Sequence, residues 1–389
     1  MSREKVNNQD HRQDALPVAV IGVGGFGAFT LQAVQKSPVV RLVGVSDRDR
    51  AAAEKAGKAA GVPAFTDNRS LLAQTHPKAV YAAVPPAEAP AVVELCARRA
   101  VHVWKELPLA RSLQEGVGLV QLMERAGLKL AVGTQKRFAP GYRRARALCQ
   151  RLGEVFLARA HYLFNWGTDL SWRGDLASAG GGALLELGYH PIDLLLWLLG
   201  LPDEVYGTSA SFGRRQRRGP KEGPQTRSIA FGGPGKLLPA YDTDDTAAAI
   251  LRYAASPSAA RLGGPVATVV TTRRSGPISE ELSLHGRGGS LTACGETCLL
   301  RGPEGEVLDS FSAPAPPLEV FRLQAEAFAR AVLSGAEKYE CSGRENLLTL
   351  ATIDAIYLSD RTNQPEHPAT LLANHGLRPE LCLVNRPET

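Results

Sequence analysis

The segment PVAVIGVGGFGAFTLQAVQKS, residues 17–37, passes from an apolar strand-like run through a glycine-rich turn into helical spacing. Within it, Gly22-Val23-Gly24-Gly25-Phe26-Gly27 forms a G-x-G-x-x-G directly after the strand and opening the helix. Each glycine meets a separate need: a tight turn at Gly22, no side chain at Gly24 where a pyrophosphate would approach the backbone, and close helix-to-strand packing at Gly27. The free N–H groups and dipole of the helix N-terminus then favour an anion. An ordinary glycine-rich turn is the alternative, but Asp47 argues against it. Asp47 lies twenty residues after Gly27, at the end of the next apolar segment, VRLVGVSD. A carboxylate there would bond the adenine ribose hydroxyls of a dinucleotide. It would also repel a 2′-phosphate and so favours NAD, although Arg48 and Arg50 beside it would offset that repulsion for NADP.

Outward from this unit, residues 16 to 132 alternate short apolar runs with helix-like segments, among them AVYAAVP, APAVVELCARR, VHVWKEL, QEGVGLVQLMERAG and LKLAVGT. Strand-helix alternation predicts an α/β domain over residues 15–135, a doubly wound parallel sheet of Rossmann type. The pattern then changes. Strand-like segments at 154–163, 204–212, 246–253, 266–272 and 280–284, several without helices between them, predict a second α+β domain over 136–365 with a large, mostly antiparallel sheet. Helical spacing returns over 318–335 and 346–359. Residues 1–14 read as a disordered polar tail, and 366–389 as a Pro-rich, irregular C-terminal tail.

Composition narrows the function classes. With 389 residues, 44% hydrophobic and 22% charged, the chain reads as a two-domain globular protein. Its net charge of +6 is scattered except in GRRQRRGPKEGPQTR, residues 213–227. That loop would grip a phosphate, a sugar acid or a nucleic acid, or else remain simply solvated, so a nucleic-acid partner is not expected. Six cysteines without C-x-x-C spacing read as reduced thiols of a cytoplasmic protein, and the Cys294/Cys298 pair as structural rather than as half a metal site. No apolar run is long enough to span a bilayer.

The chemistry concentrates in GGGALLELGYHPIDLLLWLLG, residues 180–200. Glu186, His190 and Asp193 are spaced by four and three, which on one helix places all three on one side, with Pro191 expected to kink it. Oxidation of an alcohol needs a base near neutral pH, and imidazole suits the task; a carboxylate one turn earlier would orient it. The structural alternative is a satisfied core histidine with hydrogen-bonding acidic neighbours.

Taken together, VAVIGVGGFG, Asp47, AAVPP (82–86), VHVWKELPLA (101–110), GTQKRFAPGY (133–142), LGEV (152–155), Trp172-Arg173, GGGALLELGYHPID (180–193), DTDDTAA (242–248) and LATIDAIYLS resemble, in order, the Gfo/Idh/MocA family of dehydrogenases. The resemblance implies NAD(P)-dependent hydride transfer on a sugar, inositol or related polyol, and a homo-oligomer formed through the second-domain sheet. It implies cofactor contacts at Gly22, Gly24, Gly25, Phe26, Gly27, Asp47, Arg48, Pro85 and Glu106. His190 would transfer the proton, with Glu186 in the place usually held by aspartate. Lys136, Trp172, Arg173, Tyr189 and Asp193 would border the substrate. One departure bears on mechanism: the family's Glu-Lys-Pro is here Glu106-Leu107-Pro108. Lys105, two residues from Leu107, would lie about 6–7 Å away along a strand, so Lys136 is the candidate for the missing cation. The alternative is a dinucleotide-binding sensor of the same fold that has lost the reaction.

Overall fold

Hydrophobic strands between 16 and 132 assemble into one parallel sheet. In the computed structural model, which describes residues 14–167, 169–212, 241–254 and 264–382, β1 (Leu16–Ile21), β2 (Val40–Ser46), β3 (Ala64–Phe65), β4 (Ala79–Ala82), β5 (His102–Lys105) and β6 (Leu130–Val132) lie in the order β3-β2-β1-β4-β5-β6, every pair parallel. β1 and β4 are neighbours although two strands separate them in sequence. The chain therefore winds outward from β1 in both directions, and the crevice at the carboxyl ends of these two strands is where such sheets bind ligands. Sheet residues such as Ala19, Val20, Val80 and Val103 are fully buried, because helices cover both faces.

The second sheet has eight strands: β7 (Val155–Asn165), β8 (Glu204–Ala210), β9 (Thr246–Arg252), β10 (Val266–Thr272), β11 (Arg274–Gly286), β12 (Gly289–Ala293), β13 (Thr297–Arg301) and β14 (Val307–Ser312). Their order is β14-β13-β12-β11-β7-β10-β9-β8. All pairs are antiparallel except the central β7–β10 pair. Period-two alternation buries Ala158, Ala160, Ala247, Ala249, Leu251, Ala267, Val269, Leu282 and Leu284 beneath helices. Tyr206, Ile250, Val266 and Val270 stay exposed on the outer face.

Two expectations need correction. Residues 183–199 do not form one kinked helix: Ala183–Glu186 and Tyr189–Leu199 are separate, with Leu187 and Gly188 between them. Pro191 sits in the first turn of the second helix, where its missing N–H costs nothing. The segment after Pro365 is also more ordered than its composition suggests. Glu366 exchanges backbone hydrogen bonds with Val205 (2.8 and 2.9 Å), and Pro368–Ala373 is a helix that begins on proline and buries Leu372.

The long helix Pro317–Leu333 returns to the first sheet, whereas Gly343–Thr362 packs chiefly against β8 of the second sheet and the helices Tyr189–Leu199 and Leu113–Arg125. Ala325, Phe328 and Ala329 complete the core around Val18, Val20, Tyr81 and Trp104, and the Gln324 side chain donates to the Val132 carbonyl at 2.8 Å. The basic loop 213–227 and the N-terminal tail up to residue 13 fall outside the described residues. No single helix among those described is long and apolar enough to cross a membrane.

Candidate active site

The glycine turn is built as its spacing requires. Gly22 has φ 84°, and a Cβ on it would come within 2.2 Å of the Ala83 carbonyl oxygen; a Cβ on Gly27 would come within 2.0 Å of the Gly22 carbonyl oxygen. Both positions are closed to side chains by rigid backbone. Gly24 differs, since a Cβ there meets nothing within 4 Å. It faces a cavity of about 470 Å³ that runs from this turn to His190. Gly22, Gly24, Gly25, Phe26, Asp47, Arg48, Pro85 and Glu106 line that cavity. At its outer end the Asp47 carboxylate accepts from the backbone N–H groups of Val23 (2.9 Å) and Asp49 (3.0 Å). Arg48 is paired with Glu88 at 3.0 Å, and Arg50 lies 3.7 Å from Glu54.

The opposite end is aromatic. β7 continues its inward alternation past Ala158 and Ala160 to Tyr162 and Phe164, and Trp166 follows just beyond the strand; all three line the cavity with Trp172. This period-two run was readable in the sequence, yet sequence reasoning passed over it. Between Trp166 and Trp172 lies the Arg173 guanidinium, 4.2 and 4.3 Å from the two ring centroids. Its Nε donates to Glu186 Oε1 at 2.5 Å. Glu186 is thus paired with Arg173, and no hydrogen bond from it reaches the buried Nδ1 of His190. Burial raises the Glu186 pKa, and Arg173 opposes that rise.

His190 lines the cavity with its ring edge-on to Tyr162, centroids 5.6 Å apart. Its Nδ1 is buried without a hydrogen-bond partner among the described residues. Burial, assisted by the nearby Lys136 charge, pushes the imidazole pKa down to about 3, so the ring is neutral at physiological pH. Glu106 is held by the Tyr81 hydroxyl, and burial lifts its pKa to about 7. Leu107 occupies the cavity wall where the family lysine is expected.

The other predicted substrate residues are elsewhere. Lys136 is not in the lining; it pairs with Glu280, and its Nζ sits 4.9 Å from the Tyr162 ring centroid. Lys105 is buried, with Nζ donating to the carbonyls of Glu106 and Pro108, and burial lowers its pKa to about 8. Asp193 is 1% exposed and takes two hydrogen bonds from Arg137, at 2.6 and 2.8 Å; Arg137 also reaches Glu345 at 3.2 Å. Tyr189 is fully buried, its hydroxyl on Asn346 at 2.9 Å. Both Asp193 and Tyr189 knit helices together and do not touch the cavity. Among the described residues no group of three His, Cys, Asp or Glu side chains is placed to hold a metal ion.

Comparison with known proteins agrees with this architecture. A model of the oxidoreductase family with the NAD-binding Rossmann fold matches residues 16–134, and a model of the GFO/IDH/MocA C-terminal domain matches residues 142–292. The chain is 27% identical over 354 residues to D-xylose 1-dehydrogenase (NADP(+)) 2 of Haloferax volcanii, covering 88% of this chain and 97% of the relative. To levoglucosan dehydrogenase of Pseudarthrobacter phenanthrenivorans it is 25% identical over 293 residues, covering 71% of this chain and 73% of the relative. The crystal structure of an oxidoreductase domain protein from Kribbella flavida shares the fold, with a TM-score of 0.77 at 22% identity, covering 91% of this chain and 99% of that one. With both halves matched, and with a glycine turn and an imidazole facing one cavity between them, the chain belongs to the GFO/IDH/MocA family of NAD(P)-dependent oxidoreductases.

Proposed function

We propose that the protein is an NAD-dependent dehydrogenase or reductase acting on a hydroxyl or keto carbon of a neutral, sugar-like polyol. The observation that carries this reading is the single cavity joining the Gly22–Gly27 turn to His190. Gly22, Gly24, Gly25, Phe26 and Asp47 would hold the dinucleotide, flanked by Pro85 and Glu106, and the open space at Gly24 fits a pyrophosphate against the backbone. When bound, the nicotinamide supplies a hydride acceptor or donor. NAD is favoured over NADP because Asp47 faces the ribose end while Arg48 and Arg50 both have carboxylate neighbours, although the Haloferax relative is named for NADP(+).

The aromatic wall of Tyr162, Phe164, Trp166 and Trp172 suits the C–H face of a sugar ring, and Glu186 offsets the Arg173 charge, which favours an uncharged substrate. Neutral His190 offers a lone pair to the substrate hydroxyl. Its burial makes the imidazolium costly, so a proton accepted there has to move on. Arg173 keeps guanidinium N–H groups beyond its Nε–Glu186 bond, and these would donate to the substrate oxygen in place of a lysine at 107. The sensor alternative rested on Leu107 alone and is not favoured, since the relatives are named dehydrogenases. A second copy of the chain is expected on the outer sheet face at Tyr206, Ile250, Val266 and Val270. Six free cysteines fit a cytoplasmic setting.

The test is a titration with NADH and NADPH followed by turnover on xylose, levoglucosan, inositol and keto-sugar substrates. His190→Ala is expected to bind cofactor as the parent does and to lose at least ~100-fold in kcat. Absence of dinucleotide binding in the parent would overturn the reading.

A further inference from the structure

A second and much smaller cavity, about 10 Å³, lies against the His190 ring. His190 and Tyr162 belong to both linings, so they stand between the two spaces. The titratable groups around the smaller one are Lys136 from the turn Gln135–Phe138, Tyr142 from the helix Pro140–Leu148, His161 and Tyr162 from β7, and Glu280 and Glu281 from β11. On the larger side the lining carries Glu186 and Arg173, which are paired with each other, together with Glu106 and, toward the glycine turn, Asp47, Arg48 and Glu88. A space of this size holds about one water molecule. Lys136 and Glu280, 144 residues apart in sequence, form an ion pair whose side chains are 22% and 18% exposed, so the pair links the interior to bulk solvent. His190 is 8% exposed, and its Nδ1 is the buried ring atom without a partner among the described residues.

We propose that the Lys136–Glu280 pair is the proton outlet of His190. The inference rests on the dehydrogenase reading above. During oxidation the substrate O–H bond breaks and its proton bonds to His190 Nε2; a nicotinamide whose dinucleotide is held by Gly22, Gly24, Gly25 and Asp47 would supply the acceptor for the hydride that carries off the C–H electron pair. The imidazolium then releases its Nδ1 proton, through one water in the small cavity, to the Glu280 carboxylate, which leaves the ring as the Nε2–H tautomer; once product has gone, the Nε2 proton passes to water in the emptied main cavity and Nδ1 takes a proton back through the same small-cavity water, restoring the starting tautomer. Lys136 holds that carboxylate in place until the proton passes to bulk water, and reduction runs the same path inward. Glu280 and Lys136 are thus positioning residues that act through His190.

The ring tautomer tests this without any turnover. Full-length protein carrying ¹⁵N-histidine is examined at pH 7 by long-range ¹H–¹⁵N correlation, with the His190 signals assigned from His190→Gln. The expected result is the Nδ1–H tautomer in the parent and a shift toward Nε2–H in Glu280→Gln. An Nε2–H ring in the parent overturns the proposal, because Nε2 then has no lone pair for the substrate proton. An unchanged tautomer in Glu280→Gln overturns it as well. On whichever polyol is turned over, Glu280→Gln is expected to lower kcat about tenfold or more with KM and NAD affinity unchanged; unaltered kcat removes the outlet while leaving the dehydrogenase reading intact. If no polyol is turned over, that reading fails and the tautomer result still decides whether the pair is coupled to the ring.

Discussion

Two glycines one turn apart have opposite vulnerabilities. Gly27→Ala drives a methyl group into the Gly22 carbonyl, a rigid backbone contact at 2.0 Å. It is expected to destabilise the protein by about 2–3 kcal/mol, read by urea unfolding. Gly24→Ala meets no protein atom. It should leave the unfolding midpoint unchanged and weaken NADH binding about tenfold or more, read by fluorescence titration. Equal loss of stability in both variants would contradict the assignment of Gly24 to the ligand. The same scale tests the role proposed for Arg173. Replacing Arg173 by Met, which keeps the packing against Trp166 and Trp172, is expected to lower kcat about 100-fold. Lys136→Met should have a smaller effect, since Lys136 lies outside the main cavity.

At the scale of elements, Asp354 anchors a helix start. It lies in the helix Gly343–Thr362 and accepts from the backbone N–H of Leu113, the first residue of the helix Leu113–Arg125, at 2.8 Å. Burial raises its pKa from 3.8 to about 6. A carboxyl raised in the folded state adds stability while protonated and loses it as pH climbs through about 6. Asp354→Asn keeps an acceptor for Leu113 without the charge. Relative to the parent it should therefore gain about 1–2 kcal/mol between pH 5 and pH 8, measured by chemical denaturation at both values; a gap that does not widen with pH would refute the buried charge.

Elements were also where the sequence was most legible. The alternating run 266–272 is β10 to the residue, and the strand expected at 280–284 lies inside a longer β11. Period and turn chemistry act locally, so they can be read locally. The pairing of Glu186 with Arg173 could not, because it depends on two tryptophans brought around the guanidinium by the irregular segment after β7 and on a helix break after Glu186 where spacing alone suggested continuity. Lys136 likewise found its partner across 144 residues. Gly22, Gly24 and Asp47 were readable as a constellation because a single βαβ unit carries them all.

Across the whole molecule, a buried ion cluster joins the parts. Arg137, just after the first sheet ends, binds Asp193 from the helix Tyr189–Leu199 and Glu345 from the helix Gly343–Thr362. Removing one partner leaves a charge stranded in the interior, so Asp193→Ala should cost about 3–5 kcal/mol. Guanidinium unfolding checks the loss, and KM in the folded fraction should not move, because Asp193 lies outside the cavity lining. A raised KM without lost stability would return Asp193 to the substrate.

The helix Pro317–Leu333 carries one more consequence, for how the protein is made. It seals a face of the parallel sheet against Val18, Val20 and Trp104, residues synthesised roughly two to three hundred positions earlier. On a ribosome adding residues at about 5–20 per second, the nucleotide-binding half would wait about ten seconds or more with that face uncovered. The amino-terminal half is thus first to emerge and among the last to be finished, and a nascent chain halted before residue 317 would present its apolar sheet to whatever chaperone is near.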